Sequence, residues 1–143
     1  MYKKILIPLD NSATDKAILD HIKSLAVLTK AKVVLVHVAD GFGARLQEEL
    51  NLADSKEITE DQKYLNENCQ ALVKQGIPAK AFLLQGKEPA EAILNLADSE
   101  KCDLIAMATH GHGFVKDIIL GSVADQLRHS TSIPILMIRG QEK

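Results

Sequence analysis

The sequence predicts a doubly wound α/β sandwich: a five-stranded parallel sheet with helices on both faces. Three observations lead there. Five short runs, at residues 5–9, 33–38, 80–84, 104–108 and 135–138, are rich in β-branched and aliphatic residues and read as strands. Four of these five lack polar alternation, as strands covered on both faces do in parallel sheets. Each run is separated from the next by enough chain for a helix, which parallel pairing requires.

After the first strand, Ser12 stands three residues before Asp15 and is placed to cap a helix that carries Ala17, Ile18, Ile22, Leu25 and Ala26 on one face. That helix ends near Thr29. The second crossover, residues 40–78, is the longest and begins with a flexible stretch at 41–44. Its later half places Ile58, Leu65, Cys69 and Leu72 at helical spacing, and Gly76-Ile77-Pro78 stops it. A third helix opens with Pro89, whose missing N–H is harmless in a first turn, and its stripe is Ala90, Ile93, Leu94 and Ala97. The last crossover holds His110-Gly111-His112-Gly113, a short apolar stretch, and Gly121-Ser122, which is expected to open a helix marked by Val123 and Leu127. No internal repeat or linker interrupts this order, so residues 1–143 read as one domain.

Composition narrows the function classes. A chain of 143 residues that is 46% apolar and 25% charged suits a globular domain and argues against a disordered or fibrous role. The formal charge is −2 and only 3% of residues are aromatic, so neither a field for polyanions nor a stacking platform for single strands is provided. Nucleic acid and anionic membrane surfaces are therefore not expected partners. Cys69 and Cys102 form no C-x-x-C pair and are expected to be free thiols in a reducing compartment. The start MYKKILIPLD is broken by Pro8 and Asp10 well short of a signal or membrane segment, and a cytoplasmic location is expected.

In sheets of this kind ligands sit beyond the carboxyl ends of the strands, where the strand order reverses. Polar and glycine residues gather after strand one, at Asp10, Asn11 and Ser12, and after strand four, from Thr109 to Gly113; strands one and four are therefore expected to be neighbours. Glycines at 111 and 113 would let the backbone approach a ligand, and the amides at a helix start by Gly121-Ser122 would attract an anion. The plainer reading is that Gly113 serves a turn and Ser122 a cap. His110 and His112 could form a metal pair with Asp10, but loop histidines without a ligand role are commoner. No G-x-x-x-x-G-K-[ST] loop and no G-x-S-x-G elbow is present, so a fast hydrolase is not expected.

On these motifs the chain resembles the universal stress protein family. That family's nucleotide-binding members carry Gly, two residues, Gly, nine residues, then Gly with Ser or Thr. Gly111, the nine residues 112–120 and Gly121-Ser122 match the later elements, while Ala108 stands where the leading Gly would be. The resemblance continues through ILIPLD, VVLVHV, Gly86 with Pro89, THG at 109–111, LGSVAD and IPILMIR. A methyl at position 108 costs on the order of 1 to 2 kcal/mol if the residue takes a positive φ, and little if it is ordinary strand.

The resemblance implies an adenine nucleotide alpha hydrolase-like, Rossmann-like sandwich with a site for ATP or AMP, and leaves open whether Mg2+ accompanies ATP. It places Asp10 near the ribose and phosphates, Val38 at the adenine through its backbone, and Pro8 and Leu9 along the same side. Gly111, His112, Gly121, Ser122 and Val123 would form the phosphate and ribose loop, with Met107 and Ala108 bordering the sugar. It also implies a homodimer through strand five, at Ile135, Leu136, Met137 and Ile138. The expected role is a nucleotide-dependent sensor; a dimeric interaction module without nucleotide and a slow ATP hydrolase are the alternatives.

Overall fold

Strand and helix alternate along the chain as β1 (Lys4–Pro8), α1 (Thr14–Thr29), β2 (Lys32–Asp40), α2 (Leu52–Lys74), β3 (Ala79–Gly86), α3 (Pro89–Glu100), β4 (Leu104–Thr109), α4 (Val115–Ser130) and β5 (Ile135–Arg139). The computed structural model describes residues 1–40, 52–109 and 115–140, and side chains at 1–39, 60–109 and 123–140. His110, Gly111, His112 and Gly113 lie outside the described residues, as does the stretch at 41–44.

All strands pair in parallel, in the order β3-β2-β1-β4-β5. Period-two alternation sends Ile5 and Ile7 to one face, where they pack with Ile18 and Ile22 of α1 and with Leu65 and Leu72 of α2. Leu6 goes to the other, with Ile93 and Leu96 of α3 and Leu127 of α4. Both faces of the central strands are thus apolar, which is why no polar alternation is visible in them. The chain builds outward from β1 through β2 to β3, then returns to the far side of β1 for β4. The reversal falls between β1 and β4, the neighbours expected from the sequence.

Those two strands part quickly. Their ladder holds Ile5↔Leu104 and Leu6↔Ile105, whereas β1 stays with β2 to Pro8↔Val36 and β4 stays with β5 to Thr109↔Arg139. The β1–β4 ladder thus stops short of the carboxyl ends, and the gap between those ends is the place where such sheets offer a crevice to ligands.

The expected strands are all present, with ends shifted by a residue or two, the usual uncertainty of boundaries. Leu9 lies just past β1, although its N–H still donates to the Val36 carbonyl at 2.8 Å. Ala90, Ile93 and Ala97 of α3 are buried as expected; Leu96 joins them, and Leu94 is only partly buried. α2 stops where Gly76 turns to a φ of +85°, a conformation that needs no Cβ.

Two expectations about helix starts are corrected. The cap position of α1 is Ala13, one residue later than expected and without a side-chain cap bond; the Ser12 hydroxyl donates to Asp10 Oδ1 at 2.5 Å and makes only a long contact with the helix start, accepting from the Thr14 N–H at 3.4 Å. Gly121-Ser122 does not open α4, which begins at Val115. Val115, Ile119, Val123 and Leu127 recur every four residues, a helical period that carries the chain through Gly121 despite a cost of about 1 kcal/mol for glycine. The anion argument from a helix start therefore does not apply to Gly121 and Ser122.

Candidate functional site

The site begins where β1 ends. Pro8 and Leu9 are buried, and Asp10 is the first residue to emerge. Asn11 takes a φ of 63°, a left-handed turn that asparagine tolerates better than most residues. Asp10 Oδ1 accepts from the Ser12 N–H at 3.0 Å as well as from its hydroxyl, and Ser12 Oγ lies 2.8 Å from Thr14 Oγ1. This local ring holds the Asp10 carboxylate in one orientation.

A second carboxylate lies beneath the turn. Asp15, 3% exposed, accepts the N–H groups of Asp10 (3.2 Å) and Asn11 (2.9 Å) and the hydroxyl of Tyr64 from α2 (2.8 Å). Burial is the main reason its pKa is raised to about 6; the Tyr64 hydrogen bond opposes the rise and the nearby Asp10 charge adds to it. Tyr64 is raised in turn, by burial first and then by the Asp15 charge.

A third link joins the turn to β2 and α2. Asn11 Nδ2 donates to Asp61 Oδ1, and Asp61 Oδ2 is 3.4 Å from His37 Nε2. His37 Nδ1 is 2.8 Å from the Leu9 carbonyl oxygen; because a carbonyl only accepts, Nδ1 carries the proton there. The remaining amide oxygen, Asn11 Oδ1, is buried with no donor among the described residues. Flipping the amide would set that oxygen against the Asp61 carboxylate, so the orientation is fixed and the acceptor suits an N–H or O–H brought by a ligand.

The rim on the β4 side is held by a close contact. The Gly140 N–H donates to the Thr109 carbonyl at 2.7 Å, and a Cβ on Gly140 would stand 2.6 Å from the side chain of Thr14, itself fully buried. The start of α1 is thereby pressed against the ends of β4 and β5.

Of the residues expected at the site, Pro8 ends β1 and Leu9 and Asp10 follow it, beyond the last β1–β4 pair. Val38 follows the β1-paired part of β2, its side chain partly buried on the α3–α4 face. Met107 and Ala108 are both buried and face opposite ways, Met107 toward α3 and α4, Ala108 toward α1 and α2. Ala108 pairs with Ile138 in β4, and the non-glycine residues of positive φ among those described are Asn11, Lys30 and Lys101; its methyl is thus carried in ordinary strand backbone. Val123 is buried in α4, Gly121 and Ser122 lie in the body of that helix, and Gly111 and His112 fall outside the described residues. Among the described residues no cluster of His, Cys, Asp or Glu is arranged to hold a metal.

Sequence reasoning names Asn11 at the polar turn without giving it a role, does not single out Asp61 or Tyr64, and reads Asp15 as a capping partner only. A signal was available for the two acids. Asp15 precedes Ile18, Leu19, Ile22 and Ala26 on the buried stripe of α1, and Asp61 precedes Leu65, Cys69 and Leu72 on that of α2. An acid on an apolar stripe is a conflict that asks for a partner.

The universal stress protein family model matches residues 1–139. Universal stress protein MJ0577 of Methanocaldococcus jannaschii is 31% identical over 97% of this chain and 96% of its own length, and its solved structure superposes with a TM-score of 0.83 over 100% and 99% of the two chains. A Thermus aquaticus universal stress protein is 34% identical over 97% of this chain and 100% of its own length. The Archaeoglobus fulgidus universal stress protein solved in complex with dAMP shares the fold, at a TM-score of 0.70 and 24% identity over 96% of this chain and 98% of that one.

Proposed function

Since this chain belongs to the universal stress protein family, we propose that it binds an adenine nucleotide, ATP or AMP, in the crevice between β1 and β4 and acts as a nucleotide-dependent sensor or regulator. The observation that carries this reading is the parting of β1 and β4 at the switch point, directly beside the Asp10 turn. Asp10 offers a carboxylate in a set orientation for ribose hydroxyls, and the buried Asn11 Oδ1 offers a second acceptor. The phosphate side is carried by the motif alone: Gly111 and His112, and Gly121, Ser122 and Val123 within α4, are assigned to it by their match to the family pattern. An A. fulgidus protein of the same fold, solved with dAMP, is consistent with adenylate as ligand.

The test is direct. Protein purified without added nucleotide is denatured with acid and the supernatant chromatographed, and the stripped protein is titrated with AMP and with ATP, with and without Mg2+, by calorimetry. Adenylate recovered from the protein, or saturable heat, supports the reading; no heat at millimolar AMP and ATP overturns it. With no Trp in the chain, bound nucleotide would also stand out in the 260 nm to 280 nm absorbance ratio. Phosphate release that vanishes in Asp10→Ala would add slow hydrolysis to the role.

A homodimer through β5 is the second part of the proposal. β5 is a sheet edge, and Met137 at its centre is 43% exposed, a large apolar side chain beside unpaired backbone. Ile135, Leu136 and Ile138 are half-buried on the same strand. Sedimentation of the wild type against Met137→Lys tests it, with a shift from dimer to monomer as the expected result. We also place the protein in the cytoplasm, in keeping with two free thiols. No helix among the described residues is long and apolar enough to cross a membrane.

A further inference from the structure

We infer that Asp15 and Tyr64 are positioning residues of the nucleotide site: Asp15 ties down the backbone amides of Asp10 and Asn11, and Tyr64 holds Asp15 from α2, so that α2 sets the turn that presents the Asp10 carboxylate. The inference rests on the nucleotide reading above and deepens it.

A carboxylate in the first turn of a helix ordinarily serves the helix itself, through its dipole or its unpaired amides. Among the described residues the side chain of Asp15 accepts from no amide of α1. Its two backbone donors are Asp10 and Asn11, which precede α1, so its hydrogen bonds order the turn and not the helix. The acid is also misplaced for stability: it is 3% exposed on the stripe that α1 buries, and burial there disfavours its charge. Residues that work against the fold at a crevice are the ones to examine for function.

A second tether strengthens the case. Asn11 reaches Asp61 of α2, which is paired with His37 of β2, and His37 holds the Leu9 carbonyl. The three residues 9–11 are therefore each fastened by a side chain from elsewhere in the fold: Leu9 by His37, Asp10 by Asp15, Asn11 by Asp15 and Asp61. Among the described residues the titratable groups that act on Asp15 are Asp10 on the same turn and Tyr64 on α2; Asp61 and His37 reach the turn through Asn11 and Leu9.

The test compares wild type with Asp15→Asn and Tyr64→Phe. Phenylalanine keeps the ring and removes one hydrogen bond, so Tyr64→Phe should remain folded and serves if Asp15→Asn does not. Amide hydrogen exchange at Asp10 and Asn11, read by NMR in the free protein, should accelerate roughly tenfold in both variants while core amides keep their rates. The Kd for AMP should rise roughly tenfold in Asp15→Asn at about pH 7.5, and that gap should close toward about pH 5, where Asp15 of the wild type is itself protonated. Unchanged Asp10 and Asn11 exchange, or unchanged AMP affinity in both variants, or a gap constant with pH, overturns the positioning role. If the wild type itself binds neither AMP nor ATP, it is the nucleotide reading that falls, and the role at a ligand site falls with it.

Discussion

Where α3 and α4 cover the sheet, the stripe they bury is apolar among the described residues: Ile93, Leu96, Ala97, Val123 and Leu127. Across the sheet α1 and α2 bury Ile18, Leu19, Ile22, Leu65 and Leu72, but toward the crevice their stripe gives way to Asp15, Asp61 and Tyr64. Both layers meet the same geometric demand, closing one face of a parallel sheet. Among the described residues one meets it with apolar burial; the other gives up part of that burial to hold a turn. The difference locates the polar investment of the molecule in the layer that borders Asp10.

The sharpest separation of the two layers comes from Ile93→Ala on the apolar side. It should cost about 2 to 5 kcal/mol of stability by lost burial and cavity formation, read by urea unfolding, with the AMP affinity of the folded fraction unchanged. A matching loss of affinity would mean that the layers are not separable.

On the other side, stability should depend on pH through Asp15. Its pKa is raised from 3.8 to about 6 by folding, so the native state binds the proton more tightly than the unfolded chain. The associated stability is fully present below pH 3.8 and is lost as pH rises through about 6. The swing is up to ~3 kcal/mol, and it should be missing from Asp15→Asn when the two proteins are melted across that range. A wild-type curve parallel to that of the variant would break the contrast drawn here, since Asp15 would then carry no burial cost.

This contrast also explains what could be read from sequence. The strands were legible because Ile5 to Ile7, Val33 to Val36 and Leu104 to Met107 are buried on both faces and leave no polar residue to confuse the pattern. The switch point was legible because Asp10 to Ser12 and Thr109 onward are the polar breaks after two of those runs. The start of α4 was misplaced because Gly121-Ser122 looks like a boundary locally, while the four-residue period from Val115 to Leu127 spans it. Asp15 was misread because local spacing describes a cap equally well; only the position of Tyr64, distant in sequence, shows which donors it serves. Hydrogen bonds between remote residues such as Asn11 and Asp61 have no local signature.

The rim offers a smaller test. Gly140→Ala would push a Cβ into Thr14, and both neighbours are held, Gly140 by the Thr109 carbonyl and Thr14, itself buried, within the first turn of α1. Overpacking of this kind should cost about 1 to 3 kcal/mol, read as a lower unfolding midpoint. If the contact fixes α1 against the crevice, AMP affinity falls together with stability, unlike the result for Ile93→Ala.

The smallest effect is expected at Ala108, where the family pattern has glycine. Its backbone lies in β4 opposite Ile138, without a positive φ, so the methyl carries no conformational penalty, and the side chain is 3% exposed among the residues that pack with α1 and α2. Ala108→Gly should therefore cost about 1 kcal/mol of stability, from a more flexible strand and one lost methyl, while AMP affinity stays within about threefold of wild type. A calorimetric titration of both proteins decides it. Tightening by tenfold or more would show that the methyl stands in the ligand's path, and that the crevice of this chain is narrowed at β4 as well as ordered from α1 and α2.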